Sequence, residues 1–201
     1  MREISYFSDL YDFIKYPISG EEEFGLRKAR LGAIHAIAAN DTLEENGNSM
    51  IVMPTGSGKT TVLMMAPYIL RKSKVLIVTP SALVRGQIYD DYSKLKTLKR
   101  IGVFSKEIVA PRIFEAKKLY TDNQLDDIRE ADVVIATHKV AVSISSENIS
   151  KSFDYIIIDE AHHVPAPSWQ SILTSRQNIS SLFLTATPFR LDRKDINGKQ
   201  I

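Results

Sequence analysis

Met53-Pro54-Thr55-Gly56-Ser57-Gly58-Lys59-Thr60 lies between the apolar run Met50-Ile51-Val52-Met53 and a stretch, Thr60 to Leu70, that reads as a helix. Glycines at 56 and 58 let the backbone turn with its N–H groups pointing inward. Lys59 then reaches the β- and γ-phosphates of a nucleotide, and the Thr60 hydroxyl is suited to bind Mg²⁺. The helix that follows adds its positive N-terminal end to the same anion site. Thr55, Gly56, Ser57, Gly58, Lys59, Thr60 and Thr61 are therefore the candidate nucleotide-binding residues of this loop, with Lys59 also catalytic. The first position of the usual G-x-x-x-x-G-K-[ST] pattern is Met53 here rather than glycine.

Outward from the loop the chain alternates. Val75-Leu76-Ile77-Val78, Val133-Val134-Ile135-Ala136, Tyr155-Ile156-Ile157-Ile158 and Leu182-Phe183-Leu184 are short, continuous apolar runs, with Ile101-Gly102-Val103-Phe104 a weaker one. Each reads as a strand buried on both faces. Leu83, Val84, Ile88, Leu95 and Leu98 mark a helix from about Ser81, and another is expected near Asp122 to Glu130. Upstream, Phe7, Leu10, Phe13 and Ile14 are helically spaced until Pro17. Ser19-Gly20-Glu21-Glu22 reads as a capping box opening a helix to about Asn40, and Asn46-Gly47-Asn48 as the turn before the first strand. Such alternation predicts an α/β domain with a mainly parallel sheet between two helical layers. In that architecture ligands bind beyond the carboxyl ends of the strands. The charged tail after Arg190 carries no strand or helix signal.

A chain of 201 residues, 44% hydrophobic and 25% charged, suffices for one large domain with a sizeable core. Its net charge of +2 is too small to argue for nucleic acid by itself, so any basic footprint must be local. The absence of cysteine excludes disulfides and thiolate metal sites. No apolar run approaches the ~20 residues of a membrane span, and the N-terminus lacks a signal-peptide pattern. The expected location is the cytoplasm, with no membrane partner.

Two further strand ends carry chemistry. Ile156-Ile157-Ile158-Asp159-Glu160-Ala161-His162-His163 sets Asp159 and Glu160 at the end of a buried strand. Asp159 suits the Mg²⁺ shell shared with Thr60, and Glu160 suits the orientation or deprotonation of an attacking water. Capping of the next helix is the plainer use of the same pair. Adjacent histidines do not share a helix face, which disfavours a metal site at His162 and His163. His162 instead suits a relay of the nucleotide state to a neighbouring loop. Leu184-Thr185-Ala186-Thr187-Pro188-Phe189-Arg190 ends a strand in two hydroxyl residues, Thr185 and Thr187, that can bond to the acidic loop.

Phosphate loop, Asp-Glu-Ala-His and Thr-Ala-Thr-Pro, in this order, resemble the first RecA-like motor domain of superfamily-2 helicases of the DEAD/DEAH kind. The closer likeness is to the restriction-enzyme motor subunits and related bacterial helicases, for which Thr-Ala-Thr-Pro-Phe-Arg with Asp192 beyond it is typical. The resemblance covers about residues 21–195. It implies a three-layer α/β/α P-loop NTPase fold that uses ATP and Mg²⁺. The implied role is the ATP-binding motor domain of a helicase, translocase or nucleic-acid-stimulated ATPase, with DNA favoured over RNA. Residues 1–20 read as an aromatic-rich N-terminal extension ahead of it; the resemblance implies a helicase ATP-binding domain over 21–201 and a second motor domain absent from this chain. Weak nucleotide binding and poor hydrolysis by these 201 residues alone follow from that absence. Two alternatives stand beside this reading. One is a duplex-DNA translocase motor of a restriction or defence complex that does not separate strands; the other is a truncated nucleic-acid-binding module without turnover.

The same resemblance makes Thr79, Pro80, Ser81, Arg85, Gln87 and Thr137 candidate nucleic-acid contacts, although these segments also read as ordinary strand-to-helix capping. Lys94, Lys96, Lys99 and Arg100 read as a solvated helix face. One departure stands out. Leu26-Arg27-Lys28-Ala29-Arg30 lies where the family often has Leu-Arg-x-x-Gln, the glutamine reading the adenine edge. Arg27 fits its place as a nucleotide-binding residue. Arg30 has donors but no acceptor and cannot copy both glutamine bonds, which leaves base specificity open.

Overall fold

The computed structural model describes residues 5–18, 25–43, 48–145, 152–163, 172, 179–187 and 199–200. Its strands are β1 (Asn48–Val52), β2 (Val75–Thr79), β3 (Ile113–Ala116), β4 (Val133–Thr137), β5 (Tyr155–Asp159), β6 (Ser180–Thr185) and β7 (Lys199–Gln200). Its α-helices are α1 (Tyr6–Asp9), α2 (Lys28–Leu43), α3 (Lys59–Ile69), α4 (Ala82–Lys94), α5 (Lys96–Arg100), α6 (Leu125–Glu130) and α7 (His138–Ser145). The sheet order is β3-β4-β2-β5-β6-β1-β7, and every neighbouring pair is parallel.

Strand side chains alternate between the two faces, and the core divides accordingly. Ile51, Ile77, Ile135, Ile157 and Leu184 pack on one side with residues of α2, α3, α4 and α5. Met50, Leu76, Val134, Ile156 and Phe183 pack on the other with residues of α6 and α7. Burial on both faces explains why β2 and β5 are apolar almost throughout. β6 lies between β1 and β5, with Val52 registered on Thr185 and Asp159 on Leu184. The phosphate loop, the acidic strand end and the Thr185 strand end therefore emerge side by side at the carboxyl pole of the sheet.

Three expectations are corrected. Ile101–Phe104 is not a strand: Val103 and Phe104 donate their N–H groups to the Leu98 carbonyl, closing a turn after α5. Those residues are apolar because Ile101, Val103 and Phe104 are core residues, not because they pair in the sheet. The edge strand is instead Ile113–Ala116, whose charged Glu115 hid it from an apolar-run reading. The long helix begins at Lys28 rather than near Glu21: Gly25 bends with φ +95°, Leu26 bridges Ile18, and the Leu26 N–H donates to the Pro17 carbonyl. The Ser19–Glu22 box and Gly47 lie outside the described residues. The N-terminal helical pattern shrinks to α1 and a 3₁₀ turn, Tyr11–Phe13. Phe7 is nevertheless fully buried, edge-on to Tyr68, which in turn meets Phe104. α7 directly follows β4. Among the described residues no helix is long and apolar enough to cross a membrane.

Candidate active site

The phosphate loop is built as its glycines require. Gly56 (φ +79°) and Gly58 (φ +98°) occupy the left-handed region that side-chain-bearing residues avoid. Between them the Ser57 N–H and hydroxyl both donate to the Pro54 carbonyl, at 3.2 and 2.6 Å. Gly58 is the N-cap of α3 and supplies no side chain, so the first N–H groups of this eleven-residue helix are left for an anion. Thr55, Gly56 and Thr60 are exposed at the rim, Ser57 is half-buried, and Thr61 is buried beneath. The Met53 N–H donates to the Thr185 carbonyl at 2.9 Å, tying the loop's lead-in to the neighbouring strand.

Lys59 is buried, and its ammonium is shared between the Glu160 carboxylate (3.1 Å) and the Met53 carbonyl (3.3 Å). Glu160 itself has φ +47°, a conformation costing about 1 kcal/mol for a non-glycine residue. That backbone bend turns the residue out of β5 toward the loop. The other Glu160 oxygen lies 3.4 Å from His162 Nδ1. The same nitrogen is 2.8 Å from the Thr185 hydroxyl, which donates to the Thr187 carbonyl (2.7 Å) and accepts from the Thr187 N–H (3.2 Å). A continuous polar chain thus runs from Lys59 through Glu160 and His162 to Thr185 and Thr187. Thr185 is fully buried and Thr187 exposed, and Thr187 meets Thr185 through its backbone.

Asp159 is buried, and its carboxyl accepts the Glu160 N–H at 3.0 Å. Burial first, and then the charge of Glu160, push its pKa up from 3.8 to about 6; the Glu160 N–H and Lys59 pull the other way. A buried carboxyl held above its ordinary range beside a second carboxylate suits a hard, oxygen-seeking cation, which would restore the ionised form.

An open cleft of about 520 Å³ collects Thr55, Pro80, Val84, Glu160, His162 and Ala186. It joins the phosphate loop, the acidic loop and the Thr185 loop to the segment after β2. In that segment Ser81 caps α4 by accepting the Val84 N–H (3.3 Å), Pro80 is half-buried and Gln87 is exposed. Thr79 is fully buried and donates to the Ser81 and Ala136 carbonyls. Arg85 is also buried, with Nε 3.0 Å from Glu115 of β3, whose second oxygen holds Lys117 at 3.0 Å. No sequence signal linked Arg85 to Glu115, thirty positions away on an edge strand. Thr137, half-buried, ends β4 beside Thr79. Arg27 is exposed ahead of α2 and stands apart from the Lys59–Thr187 chain, whereas Arg30 reaches the phosphate loop and donates to the Ser57 carbonyl at 3.2 Å.

A fully parallel sheet with a glycine-turned anion loop after β1 and an acidic pair after β5 defines a RecA-like P-loop domain. Residues 23–190 match the family model described as "Type III restriction enzyme, res subunit", and the chain belongs to that family. It is 29% identical over 155 residues to protein L396 of Acanthamoeba polyphaga mimivirus, whose name places it with ATP-dependent RNA helicases; the match covers 76% of this chain and 25% of that one. It is 27% identical over 164 residues to the XPB helicase/translocase subunit of general transcription and DNA repair factor IIH from Schizosaccharomyces pombe, covering 75% and 18%. The UvsW helicase of bacteriophage T4 shares the fold, with a TM-score of 0.59 at 18% identity over 93% of this chain and 62% of the other. The chain thus spans a quarter or less of the two curated relatives' lengths.

Proposed function

We propose that this chain is the ATP-binding motor domain of a nucleic-acid-dependent ATPase, acting as a helicase or translocase. The observation that carries this reading is the chain of contacts from Lys59 through Glu160 and His162 to Thr185. An enzyme that only hydrolyses nucleotide has no need to wire its phosphate-sensing lysine to a strand end beyond the acidic loop. A γ-phosphate entering the loop competes with Glu160 for Lys59, and Glu160 is then free to orient the attacking water. The change in Glu160 is felt at His162, and through it at the Thr185 hydroxyl. Thr60 and Asp159 are the residues that would hold Mg²⁺, which when bound neutralises phosphate charge.

Residues 21–201 form the motor domain in this reading, preceded by the extension over residues 1–20. Pro80, Ser81, Gln87 and Thr137 contact the nucleic-acid backbone beside the cleft, with DNA the favoured partner, whereas Thr79, fully buried and bonded to the Ser81 and Ala136 carbonyls, holds that segment in place. Arg85 joins them only if phosphate displaces it from Glu115. A second motor domain completes the nucleotide site in the intact protein. Family membership and the names of the relatives support this reading, and the res-subunit likeness keeps translocation on duplex DNA without strand separation as the second form of the same activity.

The test is nucleotide hydrolysis by the intact protein with and without added DNA or RNA. Stimulation by nucleic acid that Lys59→Ala lowers by ~100-fold or more is expected. Hydrolysis indifferent to both nucleic acid and Lys59→Ala would overturn the proposal.

A further inference from the structure

By sequence, α5 and the end of α4 read as a solvated basic face; the fold lays a second basic stretch and two exposed rings beside it. The Lys15 N–H donates to the Val103 carbonyl (2.9 Å), the Gly25 N–H to that of Ile101 (3.1 Å) and the Leu26 N–H to that of Pro17 (2.7 Å). Residues 15–18, 25–27 and the turn after α5 therefore run side by side. Lys15, Arg27, Lys94, Lys96, Arg100 and Lys106 are exposed on these segments, and none forms an ion pair with a described carboxylate. Arg27 and Arg100 are close enough to Arg30 that, after burial, both weaken its hold on its proton. Of the nearby acids, Asp91 accepts the N–H and hydroxyl of Thr97. Glu107 is held below its ordinary range by a Ser105 hydrogen bond and its own backbone, then by Lys106 and Lys99. In a chain of net charge +2 this is a segregated positive surface. Phe13 (58% exposed) and Tyr16 (41%) flank Lys15 in the chain, Tyr16 tilted against His35 of α2, and Ile18 is exposed beyond them. Cations alone make an ordinary solvated face; exposed rings among them add a flat apolar surface that such a face does not need.

We propose that this flank is a second nucleic-acid surface, separate from the cleft, on which a single strand lays its phosphates along Lys15, Lys96, Lys99 and Arg100 and stacks bases on Phe13 and Tyr16. The cleft is a different place: Thr55, Pro80, Val84, Glu160, His162 and Ala186 line it, and none of the flank residues does. Two features select the ligand. Unpaired cations attract any polyanion, since binding releases its counterions without first breaking a protein ion pair. The rings narrow that to a strand whose base faces are free, because stacking on an aromatic side chain needs an unpaired base and a duplex hides those faces. The proposal rests on the reading that the intact protein acts on nucleic acid, and adds a place where a strand is held outside the cleft.

The experiment is equilibrium binding of a short fluorescent oligothymidylate to the intact protein over a range of salt concentrations. Phe13→Ala combined with Tyr16→Ala should weaken binding about tenfold or more and leave its salt dependence unchanged. Lys96→Gln, Lys99→Gln and Arg100→Gln together should flatten the slope of log affinity against log salt by about 2, at ~0.7 per phosphate contact. Hydrolysis without nucleic acid should be unchanged in both sets. Photo-crosslinking of an iodouracil-substituted oligonucleotide to the wild-type protein should label Phe13 or Tyr16, and this arm needs no variant, so it decides even if a substitution impairs folding. Affinity and slope unmoved by both sets, or crosslinks confined to the segments after β2 and β4, overturn the second surface. Binding weakened by the cation set but not by the ring set also overturns it, in favour of an acidic protein partner. A protein that neither binds the oligonucleotide nor is stimulated by nucleic acid breaks the motor reading as well, whereas stimulation indifferent to the flank breaks only this proposal.

Discussion

The two poles of the sheet both carry clefts lined with charge, yet they are built for different ends. The amino pole has the larger one, about 800 Å³, lined by residues that include Tyr6, Lys74, Arg112 and Asp132. There the charged groups serve the fold. Asp154 accepts the N–H groups of Ser73 and Lys74 at the start of β2, and Asp132 accepts the Arg112 N–H and its guanidinium. Lys74 donates to the Arg129 carbonyl at 2.6 Å, and burial lowers its pKa to about 8. At the carboxyl pole the cleft is smaller, about 520 Å³, but its groups are under tension. Lys59 is bonded to Glu160 but not to its neighbour Asp159, Glu160 has a left-handed backbone, and α3 begins without a side-chain cap. Size does not mark the site; opposed electrostatics and exposed backbone donors do.

The sharpest way to test that contrast is Glu160→Gln. It should lower hydrolysis in the intact protein by ~10²–10⁴-fold while nucleotide binding persists or tightens, because Lys59 loses its competing carboxylate. Single-turnover hydrolysis beside a nucleotide-binding isotherm separates the two effects, and parallel loss of both would mean Glu160 only supports the loop. His162→Ala comes next. Removing the link between Glu160 and Thr185 should cut nucleic-acid stimulation of hydrolysis by about tenfold and leave nucleic-acid binding and basal turnover largely intact. If basal turnover falls as far as the stimulated rate, the residue belongs to the chemistry rather than to coupling.

Asp159 gives a smaller effect with a definite sign. Its folded pKa of about 6 exceeds the ordinary 3.8, so the folded chain binds this proton more tightly than the unfolded one. The stability it contributes is present below about pH 4 and is lost as pH rises through 6. Asp159→Asn should remove that slope and stabilise the domain without metal at pH 7.5 by about 1–3 kcal/mol, read from denaturant midpoints across pH 4 to 7.5. A steeper slope in the variant would show that Asp159 is not the group responsible. The smallest expected effect belongs to the amino pole. Lys74→Met should leave hydrolysis within about twofold of wild type, a change in stability being its main consequence. A loss of turnover approaching that of Lys59→Ala would erase the distinction between the poles.

Several elements of this contrast are legible in the residues themselves. Gly56, Gly58 and Lys59 announce an anion loop because few other uses need two left-handed glycines before a lysine at a helix start. The isoleucines before Asp159 place it at a strand end because only a doubly buried strand tolerates such a run. Residues 101–104 mislead for the same reason: apolarity reports burial, and burial in a turn looks like burial in a sheet. Glu115 misleads in the opposite direction, since an edge strand carries charge that a central one cannot.

The α/β class, the loop and the order of the strand-end motifs can be read from the residues alone, because these depend on local backbone freedom and short-range periodicity. Tertiary structure decided that β6 lies between β1 and β5, and so that Lys59, Glu160, His162 and Thr185 form one chain of contacts. It also decided that Arg85 faces Glu115 and that Arg30 rests on Gly58. Those pairings join residues tens of positions apart, and no periodicity within a segment encodes which strand will be its neighbour.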